Sequence, residues 1–278
     1  MCFHGRNAMK NPEFCAAVQP PDDQIDVAYA ALLFARDAYP DLDVQLYLNQ
    51  LDEWAEDIRA VIATAGDPLA PLNEFLFDKL RFIGNALDYN DPLNSYLNKA
   101  IDRRVGLPIT LSVIYIDIAQ HLHLPVVGIG LPGHFIVRYS HGDDVRYVDP
   151  FHQGRLLSYD DCLRLVGELS EGTVAFQPDM LEPVGPRAIL VRMLNNLKNA
   201  YLHQERFEAA LPPVERLLDL EPDAPIHTRD LGLLHYQLAH YDRALRALQQ
   251  YLVLGNAGTD DPVRQVIANI QTHIARMN

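Results

Sequence analysis

Two residues of this chain have the side chains and the setting for acid–base chemistry. His134 opens a strand-like run over 134–140 and Asp149 closes a second over 145–151, with His141, Gly142, Asp143 and Asp144 as a hairpin loop between them. The two side chains are expected to face one another on neighbouring antiparallel strands. A carboxylate that orients an imidazole makes a general base, and such a base serves a thiol or hydroxyl nucleophile. The nucleophile is the weak point. Thr110 and Ser112 lie near the start of the helix that Pro108 can open, but hydroxyls ionise far less readily than a thiol. Cys2, Cys15 and Cys162 are remote from His134 in sequence, although Cys15, in an N-terminal tail over 1–20, has the freedom to fold into a cleft.

Without a nucleophile, the pair has two other uses. It can tie two strands together through one hydrogen bond, or line a cleft that holds a peptide or small molecule without cleaving it. Gly133, which suits close backbone approach or a bend, fits either use. Asn94 and Ser95, beside the turn that Asp91 and Pro92 begin, are further candidates for lining the cleft, with backbone satisfaction as their structural alternative. His152 belongs to the same set, since His134, Asp149 and His152 could converge as three metal ligands. Nothing here has the tight spacing of a His-Glu-x-x-His motif, and His121 and His123, two apart on a helix, point in different directions. No metal and no cofactor is expected.

These residues need a scaffold, and its pattern is legible. Residues 22–39 and 43–66 carry apolar residues at three- and four-residue intervals and stop at Pro40 and at Gly66, and 68–85 gives a third helix of the layer. Asp91 caps a further helix with Pro92 at its first position. Gly106 and Leu107 turn the chain into Pro108, after which 109–124 is apolar almost all round, as a buried central helix would be. Residues 126–132 supply a strand before the one that His134 opens. A short strand and a capped helix follow Phe151, and a linker rich in Pro and Gly ends near Gly185.

Order and motif together resemble a papain-like transglutaminase core, in which a Cys at a helix N-terminus works with a His and an Asp. More closely, Gly84-Asn85, Asn94-Ser95, Arg103-Arg104, Gly106 to Leu111 and Pro132-Gly133-His134-Phe135 resemble the SirB1 family, which joins a transglutaminase-like domain to tetratricopeptide repeats. The resemblance covers roughly residues 20–255 and implies a fold more than an activity. It assigns His134 and Asp149 to the last two catalytic roles. It also places the nucleophile two residues after the helix-opening glycine, at Pro108, and proline has no nucleophile to offer.

Composition narrows the partners. The net charge of −14 lies wholly in the first two thirds: residues 1–186 hold 13 Lys and Arg against 27 Asp and Glu, and residues 187–278 hold 10 against 10. An acidic surface of this kind repels nucleic acid and anionic membranes. No apolar stretch reaches the ~18 to 20 residues that span a bilayer, and the N-terminus has no secretory pattern. Three cysteines without CxxC spacing suggest reduced thiols in the cytoplasm.

Beyond Gly185 the period becomes 34 residues. Leu197 returns as Leu231, Phe207 as Tyr241, Ala210 as Ala244 and Leu217 as Tyr251, the large and small alternation that lets tetratricopeptide helix pairs stack. Two repeats and a capping helix over 263–278 are fewer than a free-standing array needs, so packing on the first domain is expected. The first helix of each pair should line a groove through Asn195, Asn199, Leu202, Arg229, Leu233 and Tyr236.

The fold expected is therefore α+β. A tail (1–20) precedes a transglutaminase-like domain (21–185, helical layer 21–103 and core 104–185) and a repeat domain (186–278). The function expected is that of a non-catalytic adaptor or regulator, a pseudoenzyme that binds a protein or peptide through cleft and repeats, with no nucleic acid and no membrane. The alternative is a peptidase or amide-transfer enzyme that uses an unusual nucleophile with His134 and Asp149.

Overall fold

The structure is a computed structural model and describes residues 11–255, 258 and 261–277. It divides into two compact units, residues 16–193 and residues 11–15 with 194–277. Helix α1 (Pro12–Ala17) buries Phe14, over whose ring the Arg216 guanidinium sits at 5.8 Å, so residues 11–17 are not the tail that their weak periodicity suggests. Cys2 lies outside the described residues.

In the first unit, α2 (Val27–Ala35) starts where Asp26 accepts from Tyr29 N, and it buries seven of its residues. Helix α3 (Val44–Thr64) presents Leu51, Trp54, Ala55 and Ile58 to the core at the 3–4–7 spacing of an amphipathic helix, while Leu46 and Val61 of the same apolar set face solvent. Helix α4 (Leu69–Asn73) runs directly into a π-helical turn over Glu74–Lys79. Strand β1 (Ile83–Gly84) pairs in parallel with β2 (Val105–Gly106). Between them lie a 3-10 turn (Pro92–Asn94) capped by Asp91 and the short α5 (Leu97–Arg103).

Helix α6 (Pro108–His121) begins at Pro108, whose missing N–H is one the first helical turn does not need. It is buried without a break from Pro108 to Tyr115. Four antiparallel strands follow in the order β3 (Val126–Ile129), β4 (Ile136–His141), β5 (Asp144–Asp149) and β6 (Arg155–Leu157). Helix α7 (Tyr159–Leu169) opens with a reciprocal Ser158 and Asp161 cap and seats Cys162 and Val166 against Ile129, Leu131, Ile136 and Leu157.

Helix α8 (Pro186–His203) crosses the division between the units, which falls at Met193 and Leu194. The second unit continues with α9 (Phe207–Leu220), α10 (Pro225–Gln237), α11 (Tyr241–Leu254) and α12 (Val263–Met277). Phe207 and Tyr241 open equivalent helices, and Ala210 and Ala244 are both fully buried one turn in, as repeat packing requires. Ala244, Leu248, Val263, Ile267 and Ile270 form the core between the last helices. The first unit is thus α+β and the second all-α. No described helix is long and apolar enough to cross a membrane.

Candidate functional site

The site is built where β3 hands over to β4. Leu131, Pro132, Gly133 and His134 form a turn closed by His134 N donating to Leu131 O at 3.2 Å, with Gly133 at φ +72°. Pro followed by a residue of positive φ is the pattern of a type II turn. His134 therefore precedes β4 by two residues instead of opening it. The ladder pairs Val137 with Val148, and one further step along it sets Ile136, not His134, opposite Asp149. The imidazole reaches its partner diagonally from the turn.

Asp149 ends β5 and caps a 3-10 turn over Pro150–His152. Its Oδ1 accepts from Phe151 N at 3.0 Å and His152 N at 3.3 Å. Its Oδ2 accepts from His134 Nε2 at 2.9 Å and His152 Nδ1 at 2.7 Å. Burial pushes the Asp149 carboxyl up, but the hydrogen bonds and charges of His134 and His152 together outweigh it and hold the group below the usual carboxylate range. The side chains of His134 and Asp149 are 5% and 1% exposed, whereas that of His152 is 53% exposed, so the cluster is buried on one side and open on the other. The three donor atoms lie within 4.8 Å of one another, which makes this the group of described residues able to hold a cation.

Sequence patterns do not single out the residues that frame the cluster. Phe151 stands edge-on to His134 at 5.8 Å, to His152 at 5.2 Å and to Tyr89 at 6.1 Å. Arg192 donates through Nη2 to the backbone oxygen of His134 at 2.5 Å, and its guanidinium lies 5.4 Å from the Phe135 ring. Burial draws the Arg192 pKa down. Phe151 and His152 are adjacent in sequence, whereas Arg192 comes from α8 and carries no local signal.

Among the described residues no thiol or hydroxyl hydrogen bonds to the His134 ring, whose one bonded partner is Asp149. Pro108 holds the first position of α6. Thr110, Ser112 and Ser95 are buried with no hydrogen-bond partner for their hydroxyls, so they face the interior and no open cleft. Asn94 is buried and uses its amide locally: Oδ1 accepts from Asn85 Nδ2 at 3.0 Å, and Nδ2 donates to Asp88 O at 2.8 Å. Cys162 sits in the apolar core, where burial and then the carboxylates of Asp161 and Asp149 push its thiol up to about 12. Cys15, on α1, hydrogen bonds through its side chain to Asp219.

In the repeat unit the candidate groove residues part company. Asn199 and Leu202 are exposed. Asn195 accepts from Lys198 Nζ at 2.8 Å, and Lys198 also pairs with Asp230 at 2.7 Å. Arg229 is bound to the same Asp230 at 2.9 Å, so its charge is neutralised next door instead of being offered to a ligand. Leu233 and Tyr236 pack against the Ala244, Leu248 and Ile267 core. They face the following helices because α10 is sandwiched in the array, a placement that spacing along one helix does not reveal.

A family model described as the transglutaminase-like superfamily matches residues 45–195, and one for tetratricopeptide repeats matches residues 197–271. A UPF0162 protein of Xylella fastidiosa is 39% identical over 241 residues, 84% of this chain and 85% of that protein. A UPF0162 protein of Vibrio cholerae is 26% identical over 236 residues, 83% of this chain and 86% of that protein. F-box only protein 21 of Pongo abelii is 26% identical over 219 residues, 75% of this chain but 34% of that protein. No solved structure matches.

Proposed function

Since the chain belongs to the transglutaminase-like superfamily and to the UPF0162 proteins, we propose that it is a non-catalytic adaptor or regulator that binds a protein or peptide partner through its transglutaminase-like unit and its repeats. One observation carries this reading: Pro108 occupies the helix start to which the resemblance assigns the nucleophile, and the His134 ring, still paired with Asp149, meets no thiol or hydroxyl among the described residues. A base with nothing to deprotonate does not start acyl transfer. Repeats favour protein partners, since helix pairs of this kind present grooves that hold peptides or helices. The match to a third of F-box only protein 21 fits a unit that is carried as a module within a longer chain.

The motif residues Gly106 to Leu111 and Pro132 to Phe135 support the narrower placement in the SirB1 family. The acidic first two thirds argue for a partner other than nucleic acid or membrane. Cys15 and Cys162, which form no disulfide among the described residues, fit a reducing cytoplasm.

The test is the alkylation rate of each cysteine against pH, followed by mass spectrometry, in the wild type and in His134→Ala, with a fluorophosphonate probe for hydroxyls in parallel. Slow thiols indifferent to His134 and unlabelled hydroxyls are expected. A thiol that reacts fast below pH ~7 and slows without His134, or a labelled Ser or Thr, overturns the reading in favour of an enzyme.

A further inference from the structure

We infer that His134, Asp149 and His152 form a binding site for a divalent first-row transition cation of the zinc class. The inference is independent of the adaptor reading and adds a ligand to the transglutaminase-like unit whether or not that unit is catalytic.

The geometry is that of ligands gathered on one point. Two imidazole nitrogens, His134 Nε2 and His152 Nδ1, stand 2.9 and 2.7 Å from a single carboxylate oxygen, Asp149 Oδ2. All three atoms lie within 4.8 Å of one another. Two neutral imidazoles and one carboxylate are a donor set that suits zinc, iron, copper or nickel better than magnesium or calcium, which prefer oxygen. A metal ion would take the place of the two N–H protons now directed at Oδ2. In neutral rings those protons move to His134 Nδ1 and His152 Nε2, and from charged rings they leave to solvent.

The surroundings hold the ligands before any ion arrives. Asp149 Oδ1 is occupied by the N–H groups of Phe151 and His152, which fixes the carboxylate and leaves Oδ2 to bind as a single oxygen. Such outer hydrogen bonds orient ligands in metal sites generally. His134 is fixed from behind through its own backbone oxygen, held by Arg192, and its ring is braced by Phe151. Two ligands are thus buried and rigid. His152 is half-exposed, so the remaining coordination position opens to solvent, where water or a partner's carboxylate could complete it.

A hydrogen-bonded cluster without metal affinity is the competing account, and a titration separates the two. The full chain, stripped with chelator, is titrated with Zn2+ by calorimetry and with Co2+ by visible absorption. One saturable site is expected, with affinity lowered at least about tenfold in His152→Ala and in Asp149→Asn, and unchanged in His121→Ala. His152→Ala is the decisive variant because its half-exposed side chain can be removed without emptying the core. No saturable binding overturns the inference. So does binding that His152→Ala leaves unchanged, since the metal then lies elsewhere on the chain.

Discussion

Gly84 backs directly onto the ring of Phe151: a Cβ on Gly84 would stand 2.4 Å from Phe151 Cδ2. The parallel β1–β2 pair is therefore one wall of the site, since Phe151 in turn meets both His134 and His152. Gly84→Ala should push the ring outward and disturb both imidazoles, at a stability cost of about 1–3 kcal/mol for the overpacking. Urea denaturation and the histidine side-chain signals in NMR would read the two effects together. A variant as stable as wild type with unmoved imidazole resonances would show that Phe151 does not brace the cluster.

Gly133 poses a different question, because space is not what it needs. A Cβ there would meet Leu169 at an ordinary 3.5 Å, yet φ is +72°. Gly133→Ala should cost about 1–2 kcal/mol through left-handed strain alone, and Gly133→Asn less, because Asn visits this region more readily. Denaturation midpoints in the order Gly, Asn, Ala are expected with an unchanged slope against denaturant. Equal midpoints for Asn and Ala would mean that something other than backbone conformation sets the preference.

What the bare sequence reveals here follows from how local each signal is. Pro108 starts α6, Ser158 and Asp161 cap α7, and Phe207 and Tyr241 open equivalent helices, because caps, prolines and repeat spacing act within a few residues or one repeat. His134 and Asp149 could be paired from the hairpin between them. The placement of His134 ahead of β4 could not, since hydropathy does not distinguish a strand's first residue from a turn closed by Pro132 and Gly133. Arg192, the docking of Phe14 and the inward turn of Leu233 and Tyr236 depend on contacts made far along the chain, whereas the neutralisation of Arg229 by the adjacent Asp230 is local. The π-helical stretch over Glu74–Lys79 has a sequence as suited to an ordinary helix.

Lys198 and Asp230 give the repeat unit an electrostatic joint between α8 and α10. The Lys198 side chain is 9% exposed and its ammonium lies 2.7 Å from the carboxylate, with Asn195 as a second partner at 2.8 Å. Asp230→Ala should strand a buried cation and cost roughly 3 kcal/mol, the lower part of the range for a broken buried pair because Asn195 remains. Lys198→Met combined with Asp230→Leu should recover most of that loss, since no buried charge is left at the joint and the Arg229 side chain, 36% exposed, stays in reach of solvent. Thermal denaturation of the single and double variants decides it: a double variant no better than Asp230→Ala would mean that the residues matter by shape and not by charge.

Asp117 makes stability depend on pH in the sense opposite to most carboxylates. It lies on α6 with His121 one turn on, Asp52 of α3 and the α2 cap residue Asp26 nearby, and His121 Nδ1 is 2.9 Å from Asp52 but 3.9 Å from Asp117. Burial raises the Asp117 pKa, His121 opposes it, Asp26 and Asp52 add to it, and the result is about 7 against an ordinary 3.8. The folded chain thus keeps a proton that the unfolded chain releases. Stability from this group is fully present below the unfolded value and is lost as pH rises through the folded one. Asp117→Asn removes the need for that proton and should be more stable than wild type at pH ~8, by an amount on the order of a few kcal/mol, with the difference vanishing near pH ~4. Comparing urea midpoints of the two proteins across that window isolates Asp117, because every other group is common to both. A difference that stays constant with pH, or one that favours wild type at high pH, would place the carboxylate's charge in a setting that stabilises it.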